Sequence, residues 1–143
     1  MTSTTTILYA CIHNSGRSVA AAKLTALYAG ERVRVLSAGS EPGTGVNPTV
    51  AEALAERGIS TADHVPTMLD RDLVGGCDVV ITMGCGETCP VFPGKRYEDW
   101  EITDPKGKPL AEVRAVVDDV DARVRRLLFE LFPDLDVRGA ASA

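Results

Sequence analysis

Ile7-Leu8-Tyr9-Ala10-Cys11-Ile12-His13-Asn14-Ser15-Gly16-Arg17-Ser18 is the stretch that decides how the rest of the chain is read. Through Ile12 it is a continuous apolar run, the pattern of a strand buried on both faces of a parallel sheet. His13 to Gly16 breaks the run, and Arg17 to Tyr28 is Ala/Leu-rich and helical by propensity, with Gly30 placed as a stop. A strand that passes through a short loop into a helix collects unpaired backbone N–H groups and the positive end of the helix dipole, and both favour an anion. The loop Ile12, His13, Asn14, Ser15, Gly16 can curl into a nest for a tetrahedral oxyanion, with the planar donor fork of Arg17 beside it. Cys11 stands at the carboxyl end of the strand, where such sheets bind ligands, and the same positive field favours its nucleophilic thiolate form. Ser18 is placed to donate to the sulfur, and Asn14 tolerates a left-handed turn position. The plainer alternative is a buried cysteine before an ordinary helix; the supporting Asn, Gly and Ser favour the site.

Working outward, Val33–Ser37 alternates like a second strand and 38–47 is a Gly/Pro-rich loop. Pro48 suits the first turn of a helix through Glu56, with Asn47 as N-cap and Gly58 beyond its end. Asp78–Met83 reads as a buried strand, 84–95 as a turn-rich loop, and Arg96–Trp100 as a last short strand. In the final helix Val113, Val117, Val120, Val124, Leu127 and Leu131 form one apolar stripe, leaving Asp118, Asp119, Asp121, Arg123, Arg125 and Arg126 on the other faces. Strands alternating with helices predict an α/β fold with a parallel sheet covered on both faces.

The 143 residues, 45% of them hydrophobic, suit a single domain, expected over 1–138 with a flexible tail at 139–143. A net charge of −5 argues against nucleic acid or an anionic membrane as partner. No apolar run approaches a membrane span, and residues 1–6 lack an export signal, so a cytoplasmic location is expected. Cys11, Cys77, Cys85 and Cys89 are too sparse for a disulfide scaffold, and in a cytoplasmic chain point to catalysis, redox chemistry or metal binding. Cys85 and Cys89 could form half a zinc site, but neither His13 nor His64 has convincing ligand spacing, so no metal is expected. Cys77, before a buried strand, reads as a packing residue, as do Trp100 and Phe92; His13 lines or tunes the loop.

Cys11-x5-Arg17-Ser18 near the start, Asp104-Pro105 late in the chain and Ser37-Ala38-Gly39 after the second strand together resemble the low-molecular-weight protein tyrosine phosphatase superfamily. The resemblance covers nearly the whole chain and implies a flavodoxin-like, doubly wound, four-stranded parallel sheet. It also implies that Asp104 is the general acid. Within the superfamily, Gly84-Cys85-Gly86-Glu87-Thr88-Cys89-Pro90, with Trp100 and Asp104-Pro105-Lys106-Gly107-Lys108, resembles the thioredoxin-coupled arsenate reductases, although the Cys85–Cys89 interval is shorter than in their best-known branch. Lys106 and Gly107 stand where the phosphatases usually carry Tyr directly after Asp-Pro. Gly16 replaces a second loop cysteine, and Ala22 replaces a potassium-binding Glu of some reductases, so no cation is expected. The resemblance implies that Cys11 attacks arsenate, Cys85 attacks Cys11, and Cys89 resolves that disulfide for reduction by thioredoxin. No bound cofactor is needed, phosphate or sulfate would compete, and a monomer is expected. A phosphatase, a one-cysteine reductase using a small thiol, and a non-catalytic metal or arsenite binder remain the alternatives.

Overall fold

The computed structural model describes residues 4–84 and 94–135. Its frame is a four-stranded sheet of β1 (Thr5–Cys11), β2 (Val33–Gly39), β3 (Val79–Thr82) and β4 (Arg96–Asp99), in the order β2-β1-β3-β4 with every pairing parallel. Helices α1 (Arg17–Ala29), α2 (Pro48–Ala55), α3 (Arg71–Gly75) and α4 (Leu110–Leu131) make the crossovers and the final cover. This is the doubly wound arrangement expected from the sequence.

The period of two along β1 divides the core. Ile7, Tyr9 and Cys11 face one side and pack with Val19, Leu24, Leu54, Val113, Val120 and Leu127 from α1, α2 and α4. Leu8 and Ala10 face the other side and pack with Val74, Cys77 and Val80 beneath α3. Both faces are covered, which is why the run contains no polar alternation. Cys77 is buried, and its thiol donates to the Leu73 carbonyl oxygen at 3.1 Å. Burial pushes that thiol's pKa up, which suits an inert packing role. Trp100 is buried too, with its ring 5.8 Å from that of Tyr9.

Asn47 caps α2 as expected, its side-chain oxygen accepting from the N–H groups of Thr49 and Val50. β2 runs two residues beyond the expected end, to Gly39, because Ala38 and Gly39 stay paired with Ala10 and Cys11. The α4 stripe is buried from Val113 to Leu127, while Leu131 is half-buried at the last turn.

Asp121 departs from the expected outer face. It is buried, receives a hydrogen bond from the Tyr28 hydroxyl, and pairs with Arg57 at 3.6 Å and Arg125 at 2.9 Å. A buried carboxylate requires such partners; Arg125 lies one turn along α4, and the packing of α1 and the segment after α2 against α4 supplies Tyr28 and Arg57. The helix pattern alone could not reveal it. The expected tail, 139–143, lies outside the described residues. Among the described residues no helix is long and apolar enough to cross a membrane.

Burial, followed by the bond to Asp121, pushes the Tyr28 phenol up to about 12. A phenol that titrates near ~10 in the unfolded chain then stabilises the fold fully below that pH, and the contribution is lost as pH rises through the folded value. The difference in urea midpoint between the protein and Tyr28→Phe should be flat up to about pH 10 and shrink above it. Tyr28→Phe should lower stability by about 1–2 kcal/mol at neutral pH and make the alkaline fall shallower, which denaturation at several pH values would check.

Candidate active site

Cys11 ends β1 and α1 begins at Arg17, so residues 12–16 must turn the chain within five residues. Asn14 takes the left-handed conformation at the apex, with φ 51°, and is fully buried. What fixes the turn is the fate of its carbonyls. The Cys11 carbonyl accepts from Ser40 N–H at 3.2 Å, Ile12 from Glu41 at 2.8 Å, His13 from Gly43 at 2.9 Å, and Ser15 from Asn47 at 2.8 Å. The Asn14 carbonyl accepts from the His64 Nε2–H at 2.9 Å. Every peptide bond here is trans, so each N–H points opposite the carbonyl of its own peptide unit. Five outward carbonyls therefore turn the N–H groups of Ile12, His13, Asn14, Ser15 and Gly16 inward, as a cradle for an anion.

Asn14 also works through its side chain. Its amide oxygen accepts from Thr67 N–H at 3.0 Å, and its amide N–H donates to Ser18 Oγ at 2.7 Å. Since that bond uses the serine oxygen as acceptor, the Ser18 hydroxyl proton is free to point at Cys11 Sγ, 3.0 Å away. The hydroxyl thus lies where it can stabilise a thiolate.

Arg17 is 8% exposed. One terminal nitrogen donates to the Ile102 carbonyl at 3.5 Å, and the other lies 3.9 Å from an Asp104 carboxylate oxygen. Such a long ion pair satisfies a buried guanidinium poorly and leaves donors for another oxyanion. On its far side Arg17 meets Gly84, which ends β3's path at φ 99°; a Cβ there would lie 2.7 Å from the guanidinium.

Cys11, His13, Arg17 and Asp104 line one cleft of about 640 Å³ beside the uncapped N-terminus of α1, whose first turn holds no acidic residue. Asp104 is half exposed, and one carboxylate oxygen accepts from Lys106 N–H at 3.0 Å. Pro105 lies over Gly16, where a Cβ would stand 2.9 Å from the proline ring. Gly16 thus lets the segment bearing Asp104 approach the loop. Cys85 and Cys89, with Gly86 and Phe92, lie outside the described residues. Among those described, no cluster of His, Cys, Asp and Glu could hold a metal ion.

Sequence reasoning missed the residues that fold the loop. His64, Thr67 and Gly43 hold it through single polar contacts from irregular segments, which leave no periodic trace. Gly39 had a signal in its Ser-Ala-Gly context, and its reason is steric: a Cβ there would lie 2.5 Å from the Ile12 carbonyl oxygen and 2.8 Å from the Asn14 nitrogen.

A thiol beneath an inward ring of amides, at the end of the first strand of a doubly wound sheet, defines the phosphatase-like thiol enzymes. Residues 6–136 match the family model of the low molecular weight phosphotyrosine protein phosphatases, and the chain belongs to that family. It is 33% identical over 140 residues to a putative arsenate reductase of Halobacterium salinarum, covering 92% of this chain and 96% of that one. A thioredoxin-dependent arsenate reductase of Corynebacterium glutamicum superposes with a TM-score of 0.80 at 41% identity; the match covers 89% of this chain and 61% of that chain's length. An arsenate reductase in a phosphate-binding state gives a TM-score of 0.78 at 28% identity, covering 88% of this chain and 98% of that one.

Gly39→Ala should force the loop backbone to move and lower activity by about 100-fold or more, the scale of an ångström-sized misplacement. Steady-state kinetics beside a urea melt would show whether activity falls further than the loss of folded protein explains.

Proposed function

We propose that the chain is an arsenate reductase in which Cys11, Cys85 and Cys89 act as a thiol relay recycled by thioredoxin. The observation that carries this reading is the position of Arg17 between the oxyanion cradle and Gly84, the residue directly before Cys85 in the chain. Gly84, the last residue described before the two cysteines, thus lies against the guanidinium of the arginine that lines the cleft. The activities of the arsenate reductases described above, and the thioredoxin dependence of the Corynebacterium protein, support the extension to this chain.

The cradle of amides 12–16, with Arg17 and the end of α1, holds arsenate against the Cys11 thiolate, which Ser18 supports. Cys11 Sγ attacks arsenic while Asp104 donates a proton to the departing oxygen, releasing water and leaving a thiol–arsenic(V) adduct. The Cys85 thiolate then attacks Cys11 Sγ. As the sulfur–arsenic bond breaks, its electron pair goes to arsenic, so arsenite leaves and a Cys11–Cys85 disulfide remains. Cys89 attacks Cys85 Sγ, which frees Cys11 and forms Cys85–Cys89 for reduction by the thioredoxin dithiol. The two electrons come from thiols, so the cycle uses no bound cofactor. One chain supplies every residue, so a monomer suffices, and the reducing cytoplasm suits the chemistry. Phosphate and sulfate share the tetrahedral shape of arsenate and should compete with it.

Purified protein supplied with thioredoxin, thioredoxin reductase and NADPH should oxidise NADPH only when arsenate is present. Cys11→Ser and Cys89→Ser should each abolish thioredoxin-coupled turnover. Full turnover by Cys89→Ser would remove it from the relay. Turnover supported only by a small thiol would favour a one-cysteine reductase, and phosphate release from an aryl ester without arsenate turnover would favour a phosphatase.

A further inference from the structure

Trp100, the single tryptophan of the chain, is held by more than packing. Its backbone N–H donates to the Thr82 carbonyl at 2.8 Å, one step past the end of β4. Its indole N–H donates to Glu98 Oε1 at 3.1 Å, and its ring lies against that of Tyr9, tilted by 47°. Glu98 is fixed in turn by Arg96, whose Nε donates to Oε2 at 2.7 Å and which also pairs with Glu130 of α4. The indole is therefore set in rotation as well as in place.

Tyr9 shares a face of β1 with Cys11, two residues on, and Trp100 precedes Asp104 by four residues. The contact between the two rings thus joins the strand that carries the nucleophile to the segment that carries the acid. Along that segment Trp100 and Ile102 are buried while Glu101 and Thr103 are exposed. Asp104 continues the period of two toward the cleft, where it reaches Arg17. The Ile102 carbonyl accepts from Arg17, and Pro105 rests on Gly16.

The Asp104 carboxylate has weak fixings of its own. The arginine is 3.9 Å away, and the Lys106 N–H belongs to the same segment and moves with it. Its position is therefore set by the buried anchors of the backbone on either side. A proton donor works only when aligned to a fraction of an ångström. We infer that Trp100 is a positioning residue: through the segment 101–103 it sets the Asp104 carboxyl for proton donation, and it touches no substrate atom. The inference rests on Asp104 being the proton donor of the function proposed above, but it does not depend on Cys85 or Cys89.

The test is a double-mutant cycle with Asp104→Asn. Trp100→Phe keeps an aromatic ring and removes the indole donor. It should lower kcat/KM for arsenate about tenfold, and by less than Asp104→Asn does, since a misplaced donor costs no more than a missing one. In the Asp104→Asn background the same substitution should cost less than about twofold. Protection of Cys11 from iodoacetamide by inorganic phosphate, read by peptide mass spectrometry, should stay within about twofold, because the cradle is intact. Hydrogen exchange should quicken at 101–106 and not at 12–18. Glu98→Leu removes the acceptor of the indole and spares the ring, so it should repeat the pattern. Glu98→Gln, whose amide oxygen still accepts, should restore the rate, and this pair reads the contact even if Trp100→Phe folds poorly. An equal cost in both backgrounds, or phosphate protection that falls as far as kcat/KM, would overturn the proposal. So would full activity in Asp104→Asn. If phenyl phosphate is hydrolysed but arsenate is not turned over, the cycle is read on phenol release. Coupling there upholds the role of Trp100 while the reductase reading fails, and inactivity toward both substrates would overturn both.

Discussion

The rest of the site depends on where five carbonyls go. Cys11, Ile12, His13, Asn14 and Ser15 each give their backbone oxygen to a donor outside the loop. Buried backbone oxygens must find such partners, so the constraint is one of hydrogen-bond satisfaction. Trans geometry converts it into function, because satisfied carbonyls on one side oblige the amides to converge on the other. The anion cradle is thus a by-product of how the strand-to-helix turn is held from behind. Gly39 and Gly43 allow the holding segment to approach: a Cβ on Gly43 would lie 2.8 Å from Ser15 Oγ.

Positive potential is concentrated by the same economy. The chain as a whole carries −5, yet its cleft combines inward amides, a helix N-terminus without an acidic first turn, a buried guanidinium and a rim lysine. Acidic residues are spent elsewhere. Asp121 is closed in by Tyr28, Arg57 and Arg125, and Glu56 and Asp134 pair with Arg114 and Arg32 at the surface. Net charge therefore says little about the ligand of a site this local.

Much of this was legible in the sequence because it was periodic or compositional. The apolar run of β1, the Asn47-Pro48 start of α2 and the stripe of α4 all announced their elements. Cys11, Arg17 and Ser18 announced a site by falling at the strand-to-helix junction, and the structure gathers Cys11, Arg17 and Asp104 around one cleft. The illegible parts were aperiodic. Helix α3 spans five residues, too few for an amphipathic pattern, and is fixed by the Asp70 side chain accepting from Leu73 N–H at 2.7 Å. His64 and Thr67 reach Asn14 across about fifty residues of chain, a contact that depends on packing rather than local propensity. Asp121 looked like a surface acid because Tyr28 and Arg57, which close it in, come from elsewhere in the chain.

The backing of the loop by residues 40–47, 64–67 and 102–105 has a thermodynamic consequence. Residues 7–18 hold the nucleophile and the amides, but in isolation nothing would turn those amides inward. The cradle exists only when the distant segments have docked, so it is a property of the assembled topology. A ligand that grips the cradle must bind the folded chain and ignore the unfolded one, which makes every bound oxyanion a stabiliser of the whole sheet. Such a protein melts at a temperature set partly by the anion content of its surroundings.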